Sequence, residues 1–186
     1  LFFNNTIDVF YSFLYKSDIK KVDCTGSYIL PGFVDVLCES GEPDKPWLEG
    51  LKNLGVTALR GGFTHIVHGP GLHTAIDTPA MVTDLLFRGQ SECIPKFDII
   101  SAATCGNSGE ALTEMGRMVE SGVLAFSDGY GSIANSIVLR RVMEYIEPFG
   151  RPFFLQPTDL ALESGGLMHE GITSTQIGLH GIPEAA

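Results

Sequence analysis

Along the chain, short apolar runs alternate with longer stretches in which apolar residues recur every three or four positions. The first clear run is Phe33 to Leu37, entered through Pro31-Gly32. Its length and near-continuous hydrophobicity predict a strand buried on both faces. Similar runs follow at Thr64 to His68, introduced by Gly61-Gly62, at Phe97 to Ala103, at Val123 to Phe126 and at Pro152 to Leu155. Between them the spacing becomes helical. Trp47, Leu48, Leu51 and Leu54 predict one helix, with Pro46 early, where a first turn tolerates it. Pro79 to Arg88 predicts a second, with Thr78 as N-cap and Pro79 in first position. Gly109 to Ser121 predicts a third, with Leu112, Met115 and Val119 on one face, and Ser132 to Phe149 a fourth. Ile172 to Ala186 reads as the approach to a further helix, starting at Gly181-Ile182-Pro183-Glu184.

Strands of about five residues alternating with helices of ten or more imply βαβ units and a parallel sheet, so the fold class is α/β. A closed (β/α)8 barrel has eight strands and typically about 250 residues. The pattern here reaches about the fifth strand, so residues 29–186 read as the first part of a TIM-type barrel domain. Such a half-barrel exposes strand edges and apolar helix faces, which calls for a partner or a second copy. Residues 1–28 read separately: β-rich pieces at Thr6 to Tyr15 and Ile19 to Val22 flank a turn at Lys16-Ser17-Asp18.

Composition narrows the classes of partner. With 186 residues and 44% hydrophobic content the chain can bury a sizeable core. A net charge of -10 argues against nucleic-acid phosphates or an anionic membrane as the main partner, since either needs a basic face. No apolar run approaches the roughly 20 residues of a membrane span, and Leu1 to Leu14 lacks the basic start of a signal peptide. Cysteines at 24, 38, 93 and 105 have no C-x-x-C spacing, so reduced, buried thiols in a cytoplasmic protein are expected. The chain does not begin with Met, which suggests processing or a longer parent chain.

Candidate chemistry sits where the first strand ends and Glu39, Glu42 and Asp44 arrive together, the end of a barrel strand at which active sites form. The stretch Ile29 to Pro43 resembles the first barrel strand of dihydroorotases and related cyclic amidohydrolases, Pro-Gly-Phe-(Ile/Val)-Asp-x-His-x-His-x-Arg-(Glu/Asp)-Pro. The frame fits without a gap, but Leu37 and Glu39 stand at the two histidines and Gly41 at the arginine. The resemblance continues through Ala58 to Thr64, Val123 to Gly129, Gly165 to Gly171 and Leu179 to Pro183.

That resemblance implies a barrel of the amidohydrolase type, with the first 28 residues contributing strands to a small β-sandwich. It also implies a family chemistry in which one or two zinc ions polarise a cyclic amide and generate hydroxide, interconverting carbamoyl aspartate and dihydroorotate. The family's substrate asparagine falls on His73 and its fifth-strand ligand histidine on Gln156, and Asp128 alone keeps the identity of a metal-associated residue. A bound zinc normally takes at least three good ligands, so no zinc cofactor is expected. The resemblance thus points to a degenerate, non-catalytic member, with an aspartate transcarbamoylase-like partner or a homo-oligomer as its context. The alternative is an active cyclic amidohydrolase using Mg or Mn on Glu39, Glu42 and Asp128, since hard cations take oxygen ligands; a non-enzymatic ligand-binding module is the third reading. His65, His68 and His73 suggest a replacement metal site, but positions 65 and 68 of one strand point to opposite faces, so isolated histidines are expected. Glu39, Glu42 and Asp128 are otherwise expected to be solvated loop acids.

Overall fold

A computed structural model describes residues 23–186, so the first-domain strands expected at Thr6 to Tyr15 and Ile19 to Val22 lie outside the described residues. The chain divides into two compact units, Leu1–Gly32 and Phe33–Ala186. In the described part of the first, the Thr25 amide and hydroxyl both donate to Asp23 Oδ1, at 2.9 and 2.7 Å.

The second unit is built on five parallel strands, β1 (Phe33–Cys38), β2 (Phe63–His68), β3 (Lys96–Ser101), β4 (Ala125–Ser127) and β5 (Phe153–Phe154), in the spatial order β1-β2-β3-β4-β5. Each strand pairs with the next in sequence, with Cys38 opposite His68, His68 opposite Ile99, Ile100 opposite Ala125 and Phe126 opposite Phe153. A doubly wound sheet reverses its strand order at a switch point; this one never reverses. It is the first part of a TIM-type barrel, as the alternation predicts.

Helices α1 (Leu51–Arg60), α2 (Pro79–Glu92), α3 (Met115–Glu120) and α4 (Ser136–Ile146) cover one face of the sheet. Ile66, Phe97, Ile99 and Phe126 from the strands meet Leu51, Leu54, Val82, Leu85, Met115, Met118, Val138, Val142 and Ile146 from the helices in the main core. Val67, Ile100 and Ala125 form a smaller cluster of their own with Leu124. Gly89 of α2 lies directly on the Phe97 ring, where any β-carbon would overlap it. That contact lets the helix approach the sheet closely.

Local chemistry explains where the helices start. Thr78 caps α2, its hydroxyl accepting from Met81 N, with Pro79 in the first turn, and Asn135 caps α4 through Ile137 N at 2.9 Å. The first helix departs from the expected 47–54 register: Trp47 and Leu48 are exposed in turns, and α1 starts at Leu51 and runs to Arg60. Gly55, which weakens a helix signal, sits where a β-carbon would lie a tight 3.1 Å from the Cys93 α-carbon. The third helix is also shorter than expected. Thr104 to Thr113 instead form a loop closed by a bridge between Thr104 and Leu112 and by Thr113 Oγ1 donating to the Ala102 and Ala103 carbonyls.

The C-terminal expectation is corrected. After α5 (Leu160–Glu163), β6 (Met168–His169) pairs in parallel with β7 (Gly181–Ile182) across α6 (Ile172–Ile177), so Gly181 and Ile182 are strand rather than a helix start. A two-residue strand is too short for any period to reveal. The thiols are corrected in part: Cys93 is buried, Cys38 half-buried and Cys105 exposed, and these three form no disulfide. Burial pushes the Cys38 thiol up to about 12 and the Cys93 thiol up to about 11.

Candidate functional site

The residues singled out at the strand ends are distributed among three separate settings. Leu37 and Glu39, at the two histidine positions of the resembled pattern, both close over Gly69 at the end of β2. Glu39 accepts backbone hydrogen bonds from Gly71 and Leu72, in the loop that carries His73, and its Oε1 rests on the Gly69 α-carbon. Its Oε2 is buried without a partner. Burial pushes the Glu39 carboxyl up to about 7 against the two amides, which favour the charged form. His73 itself is exposed.

At Gly41, the arginine position, the chain folds into a tight turn. Gly41 N donates to Glu49 O at 3.1 Å, and Gly41 O accepts from Lys45 N at 2.5 Å. A β-carbon there would overlap the Lys45 carbonyl oxygen. The turn therefore has no room for a side chain of any kind.

Asp128 follows β4, and its carboxylate is fully occupied by the loop after β3. Oδ1 accepts from Ala103 N at 3.0 Å and Thr104 N at 2.8 Å, and Oδ2 accepts from Thr104 Oγ1 at 2.6 Å. Thr104 Oγ1 in turn accepts from Gly109 N at 2.8 Å. Asp128 is 5% exposed and Glu42 2%, so both are buried acids, which corrects the expectation of solvated ones. Glu42 Oε1 pairs with Arg88 of α2 at 2.6 Å, which in turn approaches Asp84 and Glu92. Gln156 lies exposed beyond β5. Among the described residues, no three histidine, cysteine, aspartate or glutamate side chains come together as a metal-holding group.

The histidines of β2 part as their spacing requires. His65 Nε2 meets Asp98 Oδ2 at 2.7 Å, with Lys96 Nζ at 3.0 Å from the same oxygen. Burial raises the Asp98 carboxyl, but the bonds from Lys96 and His65 outweigh it and hold it below its ordinary value. His68 is wholly buried, 6.1 Å from the Phe97 ring centre, with Nε2 at 2.8 Å from Ser40 Oγ and Nδ1 at 2.8 Å from Gly69 O. Ser40 and the Glu42–Arg88 pair escape sequence reasoning, because nothing local marks partners 28 and 46 positions apart.

A zinc site of the resembled kind does not fit these residues. Leu37 offers no donor atom, Asp128 is held by two amides and a hydroxyl, and Gln156 is a neutral amide out in solvent. Fold and strand-end motifs together define a partial barrel of the amidohydrolase type.

Comparison with known proteins narrows that class. No family model matches the chain. Curated relatives include the dihydroorotase of Pelobacter propionicus, 34% identical over 168 residues, which are 90% of this chain and 40% of that protein. The dihydroorotase of Citrifermentans bemidjiense is 34% identical over 89% of this chain and 39% of its own length, and that of Anaeromyxobacter sp. 33% identical over 91% and 39%. The chain is dihydroorotase-like, and it spans about 40% of the length of these relatives.

Proposed function

We propose that the protein serves pyrimidine biosynthesis as a dihydroorotase-like homologue that holds no zinc and does not catalyse the cyclisation itself. The observation that carries this reading is the state of the first-strand pair: Leu37 cannot coordinate, and Glu39 turns its carboxylate into the amides of Gly71 and Leu72. The closed turn at Gly41 supports it, since the cation that would receive a substrate carboxylate has no place there. Its role is then structural, as a subunit with an aspartate transcarbamoylase-like partner or with copies of itself, in the cytoplasm. Among the described residues no helix is long and apolar enough to cross a membrane.

The test is metal analysis of the purified protein together with a carbamoyl aspartate cyclisation assay. Substoichiometric zinc and no turnover are expected; stoichiometric zinc with turnover overturns the reading. Co-sedimentation with an aspartate transcarbamoylase, set against self-association, then separates the two assemblies.

One observation favours a second reading. The buried, unpartnered Glu39 Oε2 is a free oxygen donor, of the type that magnesium or manganese accepts. Such an enzyme would turn over a cyclic amide with one of these ions and lose that activity in Asp128→Ala. Absence of turnover with every divalent ion in a panel removes this reading.

A further inference from the structure

The two ring nitrogens of His68 have different partners, and those partners fix its proton. Gly69 O can only accept, so Nδ1 carries the hydrogen and donates to it at 2.8 Å. In a neutral ring Nε2 is then the acceptor, and Ser40 Oγ donates its hydrogen across 2.8 Å. Ser40 Oγ also accepts from Glu42 N at 3.2 Å. A directed chain of hydrogen bonds thus ties the loop after β1 to the end of β2, and Ser40 donates into it only while the ring is the neutral Nδ1–H tautomer. The same junction carries the bond from Gly69 N to Cys38 O at 2.7 Å.

A second proton on the ring is costly in place. To accept from Nε2–H, Ser40 Oγ would have to turn its own hydrogen away from the ring and give up that bond, and the resulting charge would sit in a site with 0% exposure. Glu42 is the carboxylate acting on the ring from the β1 loop, and it is already paired with Arg88 of α2. From β3 the neighbour is the Phe97 ring, and β1 opposes His68 with Cys38. Burial accordingly holds the His68 ring below the ordinary histidine value.

We propose that Ser40, His68 and Gly69 form a proton-sensitive latch, in which neutral His68 closes the loop after β1 onto the end of β2 and protonation of the ring releases it. Because the closed state rejects the proton, its stability is full above the ordinary histidine value of about 6.5 and falls as pH drops below that. Glu39, packed on the same Gly69, has the opposite sign: a raised carboxyl favours the closed state as pH falls. Glu39 is therefore not the source of acid-induced opening, and the histidine is.

The test is amide hydrogen exchange at Glu42 and Gly69, corrected for intrinsic rates, between pH 7.5 and 5. The opening constant should rise by up to about tenfold per pH unit below 6.5, and the rise should vanish in His68→Gln, which cannot take up the proton. A flat profile, or an equal rise in His68→Gln, overturns the latch. Should that variant fail to fold, the nitrogen resonances of His68 in the unaltered protein decide: the Nδ1–H tautomer at pH 7 supports the latch, and an Nε2–H tautomer or a charged ring overturns it.

Discussion

Replacing Asp128 by alanine separates a structural carboxylate from a metal ligand. Three donors converge on this side chain from Ala103 N, Thr104 N and Thr104 Oγ1. In Asp128→Ala, Ala103 N keeps a weaker partner in Ser127 O at 3.3 Å. Thr104 N keeps none of the bonds described above, and the Thr104 hydroxyl loses its acceptor while it still accepts from Gly109 N. Each buried polar group left without a partner costs about 1–3 kcal/mol. Two such groups, with a third weakened, put the loss at about 3–4 kcal/mol. Asp128→Asn retains an oxygen for the two amides and disturbs chiefly the bond to the hydroxyl, so its cost is about 1 kcal/mol. Chemical denaturation of the three proteins, each with added zinc and with chelator, reads both quantities. A loss under about 1 kcal/mol in Asp128→Ala, or a stability of the unaltered protein that rises with zinc through Asp128, would refute this reasoning.

Further predictions concern the first-strand loop. Gly41→Arg, which restores the family residue, should lower the melting temperature sharply, because its β-carbon overlaps the Lys45 carbonyl; an unchanged melting temperature would show that the turn opens freely. For Glu39, the raised folded-state value of about 7 means that its contribution to stability is complete below about 4.5 and is lost as pH rises through 7. Relative to Glu39→Gln, the unaltered protein should therefore weaken between pH 5 and pH 8 in urea titrations, and a constant difference would contradict the assigned burial.

How much of this the sequence discloses depends on the range of the interaction concerned. The strands β2 to β4 are legible because their buried positions leave an apolar run, and α2 and α4 because Thr78, Pro79 and Asn135 sit where a helix must begin. β1 forms where its apolar run predicts, but the expected burial on both faces is corrected: it is the edge strand of the sheet, and Phe33, Val34, Val36 and Leu37 are exposed. The start of α1 is not legible, because Trp47 and Leu48 keep helical spacing while lying in exposed turns. At the candidate site, the identity of Leu37 and Glu39 is informative by itself, whereas their surroundings are not. Glu42 and Asp128 look like surface acids until folding brings Arg88 and Thr104 to them. The steric closure at Gly41 belongs to backbone atoms of Lys45, which no side-chain pattern records.

Because the Gly41 turn has room only for hydrogen, the route between this chain and an arginine-bearing relative cannot run through one codon. The segment would first have to refold at constant length, since the family pattern fits this frame without a gap, and every intermediate that bears a side chain there before doing so is penalised. The two kinds of sequence therefore occupy separate neighbourhoods of viable variants. Exchange of the whole segment from Glu39 to Glu49, rather than stepwise substitution, is the move that connects them.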